Sequence, residues 1–458
     1  MQRQTWTNRF TYILTVAGAT IGFGATWRFP YLVGENGGGA YVLTFILAMI
    51  LVGIPIILVE NVIGRMSHKN SVDAFSVNKK DISKYWKIFG YMGLIGSFGI
   101  LAYYMVLGGW VISYIVNIFT SFFNSNIGLD LSKAITSEAT SKFYTDNIEN
   151  SPLLIGIYTF LFVVINWFIL RKGIIEGIER SVKWLMPLLF VCLLLMIARN
   201  FTLDGALEGI KFYLIPDFSA ITPQLFLYVL GQVFFALSLG FGVIITLSSH
   251  LSKEENLVKT ATITGVVNTL IAFLAGFMIF PSLFSVGLSP DSGPSLVFKS
   301  LPIAFSHMHF GGFFAVLFFV LLLLAALTTS ITIYQVIISV LEEKFKMRHK
   351  NAVNLTLIAV FIAGNIPCVL TYGPWSDIII FGRNIFDTFD FVSGNIFFVL
   401  TALGSVIFVG WVIGEDSIDE LNNYNGRSKF SLLWFGYIKY FVPFIIIVIF
   451  VSGFVLKV

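Results

Sequence analysis

Charge is scarce in this sequence: 25 acidic and 29 basic residues are spread over 458 positions, while 57% of the residues are hydrophobic. That balance lies far from a soluble domain's, and a formal net charge of +4 supplies no basic field of the kind that holds nucleic acid. Cysteine is nearly absent. Cys192 and Cys368 both fall inside apolar runs, which argues against a disulfide framework. The chain also lacks a His-Glu-x-x-His run and a Gly-x-x-x-x-Gly-Lys-Ser/Thr loop, so neither an intramembrane metalloprotease nor an ATP-driven pump is supported. Its five histidines (His68, His250, His307, His309 and His349) lie near loops, and His307 and His309 have no acid or cysteine cluster beside them, so a metal centre of that type is not expected. No stretch rich in Gly, Ser or Pro separates domains. The one long outer loop, residues 121–151, is polar, and a single domain over 1–458 is expected.

What the chain has in abundance is apolar length. About eleven runs, beginning near residues 10, 40, 88, 152, 178, 222, 256, 313, 352, 386 and 432, approach the roughly 20 residues that cross a bilayer as helix. None shows the short alternation of an outer-membrane barrel. The expected fold class is therefore an all-α polytopic membrane protein of about 11 transmembrane helices. Residues 1–9 are polar and the run that follows has no Ala-x-Ala-like cleavage site, so it reads as a retained helix rather than a signal peptide. Twenty of the 29 Lys and Arg residues fall in the segments that lie inside if the N-terminus is inside. The positive-inside rule then places the N-terminus in the cytoplasm and the C-terminus outside a plasma membrane crossed many times.

Two of the runs contain a similar interruption. "GATIGFG", residues 18–24, lies in the first, and "ALSLGFG", residues 236–242, lies in the sixth. Spans one and six are the leading members of two five-span halves, about 10–200 and 222–414, with an added helix over about 432–456. Small residues at such places also serve close helix packing, so the glycines alone leave both readings open. Their matched positions point to a five-plus-five inverted repeat with broken helices one and six. A broken helix exposes backbone groups that lipid cannot satisfy, so the break belongs beside an internal polar cavity. Carbonyls at the end of the first half-helix suit a hard cation, and the N–H groups that open the second suit a carboxylate.

At "WRFPYLVGENGGGA", residues 27–40, the sequence resembles the neurotransmitter:sodium symporter family. The likeness continues through "GIPIILVENVIGR" in span two, Tyr103 and Tyr104, "GQVFFALSLGFG" in span six, "LTTSI" in span eight and "FDFVSGN" in span ten. The eleven-span form is similar to the family's bacterial members, which are amino-acid transporters. The resemblance implies a second sodium site made by the carbonyls of Gly18, Ile21 and Ala325 with the hydroxyls of Thr328 and Thr329. It also implies a first site at Thr20, Ala25, Ala236 and Asn268, but Ala25 and Ala236 stand where the pattern has Asn and Thr. Two side-chain oxygens are missing, so one Na+, at the second site, is expected. Thr20 places a hydroxyl near that gap. Phe45, Ala236 and Ala272 replace the groups that bind chloride in animal members, and only Gln232 is retained, so chloride independence is expected.

For the substrate, Gly22 stands where amine transporters carry Asp, which favours an α-amino acid. By resemblance, Gly22, Phe23 and Gly24 would offer amides, and Tyr104 a hydroxyl, to its carboxylate. The carbonyls of Thr20, Phe235 and Ser238 would take the ammonium group. Ile100, Phe23, Phe235, Phe241 and Ile333 would surround a hydrophobic or aromatic side chain, beside Thr329. Arg28 and Asp390 would form the outer gate above Tyr104 and Phe235, and Arg3 and Trp6 would close the inner side against Glu343. Glu60 is implied to be a structural acid that caps the sixth helix. The resulting expectation is a sodium-coupled amino-acid symporter working by alternating access, not an enzyme. A proton-coupled or uncoupled permease and a channel or nutrient sensor are its alternatives. No oligomeric state follows from the sequence.

Overall fold

A computed structural model describes residues 5–76, 83–124, 128–290, 296–423 and 428–455. Arg3, named for the inner gate, lies outside them. Among the described residues the chain is helical, with two isolated bridges and no strand. Nine helices among the described residues are long and apolar enough to cross a membrane. They are Gly39–Ser67, Lys84–Ser121, Pro152–Leu170, Ile174–Asn200, Leu257–Phe284, Gly311–Lys344, His349–Leu370, Ile385–Ile413 and Lys429–Gly453. Apolar residues run around their whole circumference, the pattern of helices set in lipid or in a large protein core.

The two remaining spans are both interrupted. Span one runs as Arg9–Thr20, breaks, and resumes as Gly24–Glu35 at an angle of 54°. Span six runs as Pro223–Ala236, loses helical geometry over 237–242, and resumes as Val243–Ser248. With the bent pair counted as one span, ten of the described helices reach crossing length, and Pro223–Ala236 is a shorter apolar helix at the expected sixth position. Both interruptions fall where the Gly-Phe-Gly repeats lie. Cys192 and Cys368 are buried and unpaired with each other.

Span three, Lys84–Ser121, packs along spans eight and four, and the inner half of span one lies against spans five, seven and eight. The inner half of span six lies on span two. The two breaks therefore face span three, span eight and each other in the middle of the protein. Glycine makes that closeness possible: a Cβ on Gly18 would stand 3.3 Å from the Thr328 Cβ, and one on Gly24 would stand 2.9 Å from the Phe235 ring. The last helix packs on span ten at the edge of the bundle.

Candidate functional site between two broken helices

At the break in span one the helix ends with the Ile21 amide on the Ala17 carbonyl at 2.9 Å. The Phe23 amide no longer points to its own helix: it donates to the Tyr104 hydroxyl of span three at 3.2 Å. That hydroxyl meets the Thr329 hydroxyl of span eight, which donates back to the Gly18 carbonyl at 3.1 Å. One hydrogen-bonded chain thus joins both sides of the break through two other spans. A Cβ on Gly22 would collide with the Tyr104 and Thr329 hydroxyls, so only glycine fits at its centre.

The break in span six is longer and more strained. Ser238, Gly240 and Gly242 have φ of 53°, 79° and 75°, in the left-handed region that glycine enters freely and serine rarely does. Its exposed groups are met by side chains: Gly240 N–H donates to Glu60 Oε1 at 2.7 Å, and Ser97 donates to the Phe241 carbonyl at 2.7 Å. Glu60 is completely buried. Its position fits the implied structural role, and Ser405, the span-ten residue opposite in the family pattern, donates to Thr401 instead.

A small cavity of about 10 Å³ lies between the breaks. Its lining contains each of the substrate residues implied by the resemblance: Thr20, Gly22, Phe23, Gly24, Ile100, Tyr104, Phe235, Ser238, Phe241, Thr329 and Ile333, with Ala19 as an addition. Above it opens a vestibule of about 410 Å³ lined by Arg28, Asp387, Asp390, Glu149, Lys299 and aromatic rings. Phe23, Tyr104 and Phe235 line both spaces and so form the partition.

The residues expected to form gates lie on either side of the breaks, Arg3 being outside the described residues. Arg28 and Asp390 line the vestibule together and interact electrostatically across it. The Arg28 guanidinium lies 4.6 Å above the centre of the Phe235 ring. At the other end Trp6 is buried and donates to the Leu247 carbonyl at 3.0 Å, tying the start of span one to the inner half of span six. Glu343 accepts from the backbone and side chain of Asn70 at 2.8 and 3.1 Å. Beside it, Asp73 pairs with Lys87 at 2.7 Å. Burial raises the Asp73 pKa, but hydrogen bonds from Lys87 and Asn70 outweigh it and hold the carboxyl below its ordinary value.

The cation loci differ. At the second, Thr328 donates to the Ala325 carbonyl at 3.0 Å and Thr329 to the Gly18 carbonyl, so oxygens from spans one and eight are already gathered. Those residues fit a monovalent cation. At the first, Ala25 and Ala236 are fully buried and bring no side-chain oxygen. The Thr20 hydroxyl, expected near the gap, is turned onto the Ala17 carbonyl of its own helix at 3.0 Å. Asn268 directs its amide nitrogen at the Thr20 and Ala236 carbonyls, at 3.0 and 3.1 Å. Phe45 packs on Phe29 with ring centres 4.7 Å apart, giving an apolar surface where the animal pattern has an anion ligand.

One buried charge was not singled out. Arg65, at the end of the "GIPIILVENVIGR" run, is buried and bonds Glu420 at 2.5 Å, the Glu255 carbonyl at 2.5 Å and the Glu420 carbonyl. It ties span two to the segment at Glu255 and to the short helix Asp416–Leu421. The signal available was its place at the end of an apolar run, where a lone arginine needs a partner.

Two helices broken side by side around a small central cavity, with a vestibule on one side, fit a membrane transporter. The comparisons place it more closely. The model of the Sodium:neurotransmitter symporter family matches residues 3–457, and the chain belongs to that family. It is 63% identical over 456 residues to an uncharacterized sodium-dependent transporter of Haemophilus influenzae, covering 99% of this chain and 98% of the relative. It is 34% identical over 449 residues to the uncharacterized sodium-dependent transporter YhdH of Bacillus subtilis, covering 98% and 97%. Among solved structures, MhsT in complex with L-phenylalanine matches with a TM-score of 0.87 and 35% identity, over 98% of this chain and 100% of that one. The protein is a multi-pass, sodium-dependent transporter and not an enzyme.

Proposed function

We propose that this protein carries a hydrophobic or aromatic amino acid into the cell together with one sodium ion and without chloride. The observation that carries this reading is the hydrogen-bonded chain from the Phe23 amide through Tyr104 and Thr329 to the Gly18 carbonyl. One end of that chain is an amide suited to a substrate carboxylate, and the other is a carbonyl suited to a cation. Sodium at Gly18, Ile21, Ala325, Thr328 and Thr329 would fix span one to span eight and orient Thr329, and through it Tyr104, for the substrate. The two occupants would thereby share one residue. The apolar wall of Ile100, Phe235, Phe241 and Ile333, and the L-phenylalanine bound by MhsT, support the substrate class.

Alternating access would use the gates on either side of the breaks. A bound substrate would draw the Phe235 partition closed, with Arg28 and Asp390 above it. Release of the Trp6 latch on the Leu247 carbonyl would then open the inner side. The halves 10–200 and 222–414 would move against each other, with the N-terminus in the cytoplasm and the C-terminus outside. Uptake into proteoliposomes, with sodium, proton and chloride gradients imposed separately, tests the reading; accumulation of amino acids independent of sodium would sink it.

The permease alternative keeps one supporting observation, the buried Glu60 with its Oε2 unpartnered among the described residues. It requires uptake driven by a pH gradient alone and lost in Glu60→Gln. Because Glu60 Oε1 already serves Gly240, the structural role is the better supported.

A further inference from the structure

Two side-chain amides hold the break in span one. Asn268 of span seven donates to the Thr20 and Ala236 carbonyls at 3.0 and 3.1 Å, and Gln232 of span six donates to the Gly24 carbonyl at 2.7 Å. All these groups are buried, and the amide oxygens, Asn268 Oδ1 and Gln232 Oε1, have no partner among the described residues. The nitrogens, not the oxygens, face the carbonyls.

Carbonyl oxygens converging from two broken spans repel one another unless something positive lies between them. A cation or an N–H donor can serve. For Asn268 to ligate a cation here it would have to present its oxygen, giving up both hydrogen bonds and adding a third negative dipole. The side-chain oxygens that would complete a hard cation's shell are also missing, since Ala25 and Ala236 carry none and the Thr20 hydroxyl is engaged with Ala17. We propose that Asn268 is a positioning residue whose amide does permanently, at the crossing of spans one and six, what a cation would otherwise do there. This locus then binds no ion, and each cycle carries a single sodium at the other locus. With no second cation to balance, the apolar surroundings of Phe45 and Ala272 need no anion. The inference rests on the sodium-coupled reading above.

The test is the ratio of initial radiolabelled sodium and amino-acid fluxes in proteoliposomes of the full chain, with L-phenylalanine as the probe. The wild type is expected to give a ratio near one and a Hill coefficient for sodium of about 1. Asn268→Leu leaves buried carbonyls unsatisfied and should slow uptake about tenfold or more with the ratio unchanged. Asn268→Asp cannot donate to both carbonyls, and should either lose transport or need a second sodium, steepening the Hill coefficient toward about 2. A wild-type ratio of two would overturn the proposal without any variant. So would a lower ratio in Asn268→Leu, or an Asp variant that transports at the full rate with wild-type steepness. Failure of sodium to drive any wild-type uptake has a different signature, and sinks the functional reading itself.

Discussion

The breaks in spans one and six share the same Gly-Phe-Gly ending, but only the second adds a buried carboxyl to its neutral hydrogen-bond partners. Around span one the partners are neutral: the Tyr104 and Thr329 hydroxyls and the Asn268 and Gln232 amides. Around span six the Gly240 amide rests on the carboxyl of Glu60, and three residues hold left-handed backbone. Hydroxyls exchange one acceptor for another at little cost, whereas a buried carboxyl that has already found its donor does not. On the proposed function, the Tyr104 and Thr329 hydroxyls of the first break would exchange partners for sodium and substrate, while the Glu60 carboxyl would keep the second break in place.

The sharpest way to break this contrast is to fill the first break. Gly22→Val puts a side chain where the Tyr104 and Thr329 hydroxyls meet, and overpacking of this kind should weaken substrate binding about ten- to a hundredfold. Equilibrium binding of the labelled amino acid measures it, and near-normal affinity would show that the two hydroxyls do not converge on Gly22. Next in size is Thr329→Ala. Removal of the hydroxyl from the Gly18 carbonyl should raise the sodium concentration for half-maximal uptake about tenfold, with recovery in Thr329→Ser.

At the second break, Glu60→Leu strands the Gly240 amide and should lower unfolding stability by about 1–3 kcal/mol, read as a fall in Tm of the detergent-solubilised protein. Glu60→Gln keeps an acceptor oxygen and should cost less; equal losses would mean that the carboxyl, not the hydrogen bond, is what span six needs. The smallest effect lies far from both breaks. Asp73→Asn at the inner loop should cost about 0.5 kcal/mol. Because the folded-state pKa of Asp73 is lowered, that contribution is present at neutral pH and fades as pH falls through the depressed value.

Much of this was legible because it is written in single residues. Glycines in an apolar run announced the breaks, and the family likeness carried the eleven lining positions onto one cavity. Side-chain direction was not legible. Nothing in the sequence says that Asn268 presents nitrogen rather than oxygen, or that Thr20 turns to Ala17, because each choice depends on carbonyls brought close by another span. Arg28 was expected opposite Asp390, and the two share the vestibule; that its guanidinium also lies over the Phe235 ring depends on a span far away in sequence. Arg65 was not singled out for a similar reason: Glu420 lies 355 residues away in the chain.

The 54° bend in span one has a mechanical side. Its inner arm, Arg9–Thr20, has 12 residues and is about 18 Å long at 1.5 Å per residue. Swung about the flexible joint by roughly 20°, such a lever carries its far tip about 6 Å, while atoms beside the joint shift by a small fraction of that. Trp6 sits just beyond the tip, fastened to Leu247 by one hydrogen bond. On the proposed function, a contact made or lost at Gly18 would thereby decide whether a passage the width of a side chain opens at the face where Trp6 sits, without the centre of the protein having to loosen.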